Sequence, residues 1–137
     1  MMVAGLGCRN GATAEALAEA LAAALQRCGL KRAQIDALAT DTAKAHEAGI
    51  VALAAALALP LIFVAASEMQ KASNGAITSS ERVIALRGVP SVAETAALAA
   101  AGRAARLLGP RVATATATCA IAQGEGPAGE GPPGERS

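Results

Sequence analysis

The chain predicts an α/β fold: a single-domain sandwich with a mostly parallel (mixed) β-sheet flanked by helices, then a disordered C-terminal tail. Three observations carry this. Strand-length apolar runs alternate with Ala-rich stretches of helical period, and Gly and Pro punctuate the joins. The last fifteen residues contain no large apolar side chain. A length of 137 residues fits one domain with a core of its own.

The elements follow in order. Met2–Leu6 is a short apolar run ending in the Gly-rich turn Gly5-Leu6-Gly7-Cys8-Arg9-Asn10-Gly11. Thr13 is placed as an N-cap, with Glu15 in the first turn where the helix dipole favours an acid. Leu17, Leu21, Leu25 and Cys28 share one helical stripe, which Gly29 closes. Ile35–Thr40 reads as a second strand and Glu47–Leu57 as a second helix, with Ile50, Leu53 and Leu57 inward. Leu61–Val64, after Pro60, reads as a third strand covered on both faces, because every side chain in it is large and apolar. Three capping boxes mark helix starts: Ser67-x-x-Gln70, Thr78-x-x-Glu81 and Ser91-x-x-Glu94. The last of these helices is expected to run to Leu107 or Leu108, with Gly102 as a weak point inside it. Val112–Ala122 reads as one strand, since Thr114, Thr116 and Thr118 alternate with smaller residues. The domain is expected over 1–122 and the disordered Gly/Pro/Glu tail over 123–137, where burial is too small to offset ordering entropy.

Composition excludes several functions. Net charge is +1 and aromatic content 1%, Phe63 alone, so neither a basic footprint nor a stacking platform for nucleic acid is present. Eleven of the twelve basic and eight of the eleven acidic residues fall in 1–122, a net of +3 that mildly favours anionic ligands. Three cysteines, Cys8, Cys28 and Cys119, without a C-x-x-C pair argue against a disulfide framework and for a reducing, cytoplasmic compartment. One His without clustered His or Cys predicts no metal site, and no cofactor is expected. The 19 uncharged residues from Ala48 to Ala66 approach the length of a membrane span, but Pro60 divides them into a helix and a strand, so no membrane partner is expected. No basic residue precedes the first apolar run, so no secretory signal is expected.

Three groups can carry chemistry. In the first turn, Asn10 stands where a dinucleotide fingerprint needs Gly, and no Lys follows Gly11 as a phosphate loop requires. What remains is an anion-ready turn in which Arg9 either forks onto a carboxylate or is a solvated side chain on a structural loop. Cys8, ahead of a helix N-terminus, is either an activated thiol or an inert one. In the second, Thr40–Glu47, Lys44, His46 and Glu47 can bind a carboxylate or move a proton, or the loop is ordinary helix entry capped by Asp41. Both loops are expected beyond the carboxyl ends of the strands, where open α/β sheets bind ligands. The third group is Thr78, Ser79, Ser80, Glu81, Ser91 and Glu94, read either as helix caps or as substrate-orienting groups.

Taken in order, GLGCRNG at 5–11, ATDTAKAHEAGIVALAAALALPLIF at 39–63, SEMQKA at 67–72, GVPSVAETAALAAAG at 88–102 and TATCAIA at 116–122 resemble one family. It is the CobE/CbiG C-terminal domain family of cobalamin (vitamin B12) biosynthesis, and the resemblance spans nearly all of residues 2–122. It implies a role in building the corrin ring. CbiG-type proteins open the δ-lactone of a cobalt-precorrin intermediate and release acetaldehyde, and CobE stands alone in the aerobic route. This chain opens directly on the GLGCRNG strand, so the extra N-terminal portion of CbiG-type proteins is not expected. His46 departs from the acid often found before Glu47 in the family, and Arg111 from its common Lys.

Two functions follow. In one, the domain binds a precorrin or corrinoid intermediate and serves neighbouring cobalamin-pathway enzymes. The ring's carboxylate fringe would then meet Gly5, Gly7, Cys8, Arg9, Lys44, Ser79, Glu94 and Arg111. In the other it is a small hydrolase related to cobalt-precorrin-5A hydrolase, with His46 and Glu47 catalytic and Cys8 as nucleophile. A purely structural partner subunit is the third option. Arg9, Lys44, Glu47 and Glu94 are expected to converge on one cleft.

Overall fold

The apolar runs form strands in the computed structural model, which describes residues 1–79, 92–109 and 111–126, with the backbone alone over 73–79. Six strands make one open sheet: β1 (Met2–Cys8), β2 (Ala37–Asp41), β3 (Leu61–Val64), β4 (Arg106–Leu107), β5 (Val112–Ala113) and β6 (Ala117–Gln123). Their order is β3-β2-β1-β6-β4, with β5 also paired to β6. The sheet is mixed. β1–β2 and β2–β3 are parallel, whereas β6 runs antiparallel to β1, β4 and β5. The parallel expectation thus holds for the β1–β2–β3 half, and the sheet is flanked by helices without closing on itself.

Helices α1 (Ala14–Cys28) and α2 (Ala48–Leu57) cover one face; α3 (Ala66–Ser79) and α4 (Val92–Ala101) lie on the other. Alternation along the strands sorts the core accordingly. Ala4, Leu6, Leu38, Cys119 and Ile121 pack with Leu17, Leu21, Ile50 and Leu53 on the first face. Val3, Ala39, Val64 and Ala122 pack with Ala96, Ala97, Ala100 and Ala101 on the second. As expected, Thr13 caps α1, its Oγ1 accepting the Ala16 N–H at 3.0 Å, and Gly29 ends it with φ 69°. The uncharged 48–66 run is α2 followed by β3, and no helix among the described residues is long and apolar enough to cross a membrane.

Several expected boundaries move, each for a local reason. β3 is an edge strand rather than one covered on both faces: only Val64 is buried, and Phe63 is 41% exposed. A helix does start beside Ser67, at Ala66, the residue before the expected cap; Thr78 marks no start, because α3 runs unbroken from Ala66 to Ser79, and Glu81 lies outside the described residues. α4 begins at Val92, just after Ser91, itself outside the described residues. Gly102 ends α4 instead of weakening it, adopting φ 85°, and the chain goes on to form β4 where helix was expected. The Thr/Ala alternation is likewise broken. The Thr114 N–H and hydroxyl both reach the Ala117 carbonyl, at 2.8 and 3.2 Å, so the run folds into a β5–β6 hairpin. The main chain stays hydrogen-bonded past Gln123, with Gly124 N–H on Met1 O (2.9 Å) and Gly126 N–H on Ala101 O (2.7 Å). Residues 127–137 lie outside the described residues.

α4 lies unusually close to β1, and glycine is the reason. A Cβ at Gly5 would collide with the carbonyl oxygen of Ala93 and stand 2.8 Å from the Ala97 nitrogen. Gly5→Ala must therefore push a packed helix off the sheet, and should destabilise the protein by about 1–3 kcal/mol or more. Gly11→Ala meets no neighbour within 4 Å but must hold φ 81°, which costs only about 1–2 kcal/mol. Chemical denaturation of the two variants side by side checks the order.

Candidate functional site

Because β1 and β2 are parallel neighbours, their exits share one rim. Beyond Cys8 the chain reverses through Arg9–Ala12, closed by the Ala12 N–H donating to the Arg9 carbonyl at 3.1 Å. Gly11 supplies the left-handed φ of 81° that this turn needs. Beyond β2, the Asp41 carboxylate caps a short 3-10 turn by accepting the Ala43 N–H at 3.0 Å, and α2 starts after Glu47.

The two loops meet. Gly11 N–H donates to Glu47 Oε1 at 2.9 Å, and Lys44 Nζ donates to Asn10 Oδ1 at 3.1 Å. Gly49, in the first turn of α2, presses on the Ala12 carbonyl so closely that no Cβ would fit. Glu47 is 5% exposed, and its second oxygen lies 3.3 Å from Nε2 of His46, a solvated side chain. Thr40, fully buried, donates its hydroxyl to the Leu6 carbonyl at 2.9 Å and ties the two strand ends together beneath the loops.

Beside this clasp lies an open cleft of about 400 Å³. Its walls are the β1 exit (Gly7, Cys8, Arg9), Val92 at the start of α4, and Thr114–Thr118 of the β5–β6 hairpin. The Arg9 N–H donates to the Thr116 carbonyl at 2.9 Å, which ties the hairpin to the turn. No aromatic ring lines it.

The expected residues separate into places. Gly7, Cys8 and Arg9 line the cleft; Lys44, His46 and Glu47 form the clasp at its side. Gly5 is lower in the sheet, beneath α4. Glu94 is wholly buried, with Arg111 Nη1 3.7 Å from its Oε1, and neither lines the cleft. Ser79 ends α3, and its side chain lies outside the described residues. Arg9, Lys44, Glu47 and Glu94 thus do not all face one cleft. The sequence reading missed Asn10, Val92 and Thr114–Thr118. A threonine-rich run doubling as a turn was the available signal for the last of these.

The thiols are not activated. Burial pushes Cys8 above the ordinary thiol value; Lys44 pulls it back and nearby Glu47 raises it. Of the two readings of Cys8, the direction of the shift favours the inert thiol over one activated by the helix dipole, desolvation being the largest cause. Cys28 is also raised by burial, against Arg27, and buried Cys119 is pushed up to about 12 by desolvation and by Cys28. All three cysteines are free. Among the described residues no three His, Cys, Asp or Glu side chains are grouped to hold a metal ion.

An open mixed α/β sheet, flanked by helices and carrying a polar clasp and a cleft at its strand exits, defines a small open-sheet α/β domain. The family model for the cobalamin synthesis G C-terminus matches residues 2–122. The protein CobE of a Sinorhizobium species is 35% identical over 121 residues, 88% of this chain and 79% of that protein. The crystal structure of cobalamin biosynthesis protein chiG from Agrobacterium tumefaciens is similar at TM-score 0.78 and 41% identity, covering 91% of this chain and 99% of that one. A putative cobalamin biosynthesis protein G homolog from Sulfolobus solfataricus matches at TM-score 0.68 and 25% identity, over 91% of this chain but 37% of that one. The chain belongs to the CobE/CbiG C-terminal domain family of cobalamin biosynthesis.

Two measurements test this construction. Glu47→Ala removes the charged acceptor of the Gly11 N–H, a part-buried hydrogen bond, and should cost about 1–2 kcal/mol in denaturant unfolding, whereas Glu47→Gln, which keeps an oxygen there, should cost less. The Cys119 thiol, at about 12 in the folded chain, titrates near its ordinary value of about 8.5 once unfolded. The unfolded state then binds fewer protons, so stability is full below that value and falls as pH rises toward the folded value. Melting temperature should decline from about pH 8.5 upward, and less steeply in Cys119→Ala.

Proposed function

We propose that this domain binds a precorrin or corrinoid intermediate of cobalamin biosynthesis at the carboxyl rim of its sheet, in the cytoplasm and beside the enzymes that make and consume that intermediate. The observation that carries the reading is the 2.9 Å hydrogen bond from Gly11 N–H to Glu47 Oε1, which joins two loops distant in sequence into one rim. Precorrins are large, partly apolar macrocycles edged with acetate and propionate carboxylates. A cleft of about 400 Å³ receives an edge of such a ring rather than the whole of it. Arg9 in the cleft and Lys44 on the clasp supply cations for the fringe, and small side chains leave room for the ring. Family membership supports the pathway.

The hydrolase reading has one observation in its favour, the His46–Glu47 contact at 3.3 Å on the same rim. Against it, Glu47 is buried and already accepts from Gly11, and Cys8 is a neutral thiol. Binding needs neither group to move a proton.

Titration of the purified protein with hydrogenobyrinic acid should shift the ligand's absorption bands at micromolar concentration. Arg9→Ala should weaken that binding about tenfold or more, the effect of one lost charge-assisted hydrogen bond. An unshifted spectrum would count against the proposal. Turnover of a lactone-bearing precorrin, abolished by Glu47→Gln, would establish the hydrolase instead.

A further inference from the structure

The Ala-rich helix α4 holds one fully buried acid, Glu94, and that acid faces Arg111, whose side chain is 39% exposed, at 3.7 Å. A buried ion pair contributes little net stability, because desolvating both charges offsets most of their attraction. Its position is the informative feature. Glu94 is two residues from Val92, which forms one wall of the cleft, and Arg111 directly precedes the hairpin whose Thr114–Thr118 turn forms another. β5 is only two residues long, and its register with β6 is Val112↔Cys119 and Ala113↔Thr118. So short a pairing leaves the β5 arm weakly held, whereas the β6 arm is paired with β1 from Met2 to Cys8 and the Thr116 carbonyl accepts the Arg9 N–H. Thr118 adds a long 3.4 Å contact to the Gly7 carbonyl, on the β1 side.

We propose that Glu94 and Arg111 form a positioning clamp that holds the β5–β6 hairpin against α4 and thereby fixes the width of the cleft. Neither residue touches the ligand in this role. Glu94 is anchored through the close packing of α4 on Gly5, and it sets Arg111, which in turn sets the hairpin. The inference rests on the ligand-binding reading only for its consequence; the clamp can be tested with no ligand present.

Cys8 lines the cleft and reports its opening, while Cys28, on α1, is an internal reference. The test replaces both charges by apolar groups, Glu94→Leu with Arg111→Met, which keeps the volume filled and removes both members of the pair together. Iodoacetamide labelling, resolved by peptide mass spectrometry, should run about fivefold faster at Cys8, the scale of one broken coupling in a contact network, with Cys28 unchanged. Should the double variant fail to fold, Arg111→Gln, which removes the charge and keeps much of the side-chain length, should show the same selective rise. A Cys8 rate within the error of wild type in a folded variant would overturn the clamp. The same proteins are then titrated with dicyanocobyrinic acid. Weaker binding by the clamp variants ties cleft width to affinity. Faster Cys8 labelling with no binding by any protein keeps the clamp and removes the corrinoid reading.

Discussion

The missing side chain at Gly5 is the constraint on which the rest of the molecule depends. With no Cβ there, α4 rests its backbone directly on β1, and Ala93 and Ala97 take the space a larger residue would need. An Ala-rich helix buries little apolar area per residue, so its stability comes from close approach rather than from large side chains. That approach carries the start of α4 over Gly7, where Val92 becomes a wall of the cleft. A helix held further off would leave the rim with no second side.

The buried polar groups fall mostly on the same end of the fold. Thr40 ties β2 to the Leu6 carbonyl, Glu47 holds Gly11, and Glu94 meets Arg111. Buried polar atoms cost free energy unless they are paired, and once paired they favour one arrangement over its near neighbours. The opposite end of the sheet is held mainly by main-chain bonds among Met1, Ala101, Arg103, Gly124 and Gly126, with the exposed Asp36 carboxylate accepting the Met2 N–H. Buried side-chain polar contacts are thus concentrated toward the strand exits that form the clasp and the cleft.

What could be read in the sequence was local. Thr13, Gly29 and the Pro60 break each act within a few residues, and each appears where the residues placed it. The misread segments depended on partners. Leu61–Val64 has the composition of a central strand but lies at an edge, because strand order is not written in one strand. Gly102 can weaken or end a helix; the left-handed turn wins because β6 offers β4 a pairing. At the site, the meeting of the Gly5–Gly11 turn with Thr40–Glu47 followed from parallel-sheet topology and was legible. The separation of Glu94 from Arg9 was not, since it depends on which face α4 covers.

Two of the polar groups on this rim, Glu47 and Lys44, hold its loops together, whereas His46 is solvated. Glu47 bridges the two loops from a buried position, Lys44 reaches Asn10, and burial keeps the Cys8 proton in place. A general base must be free to change its proton count during turnover, and a carboxylate that loses its charge here would also loosen its hold on the Gly11 amide. The clasp holds the two loops in a fixed geometry. A fixed geometry serves a binding surface directly, because donors already in place lose little entropy when a ligand arrives.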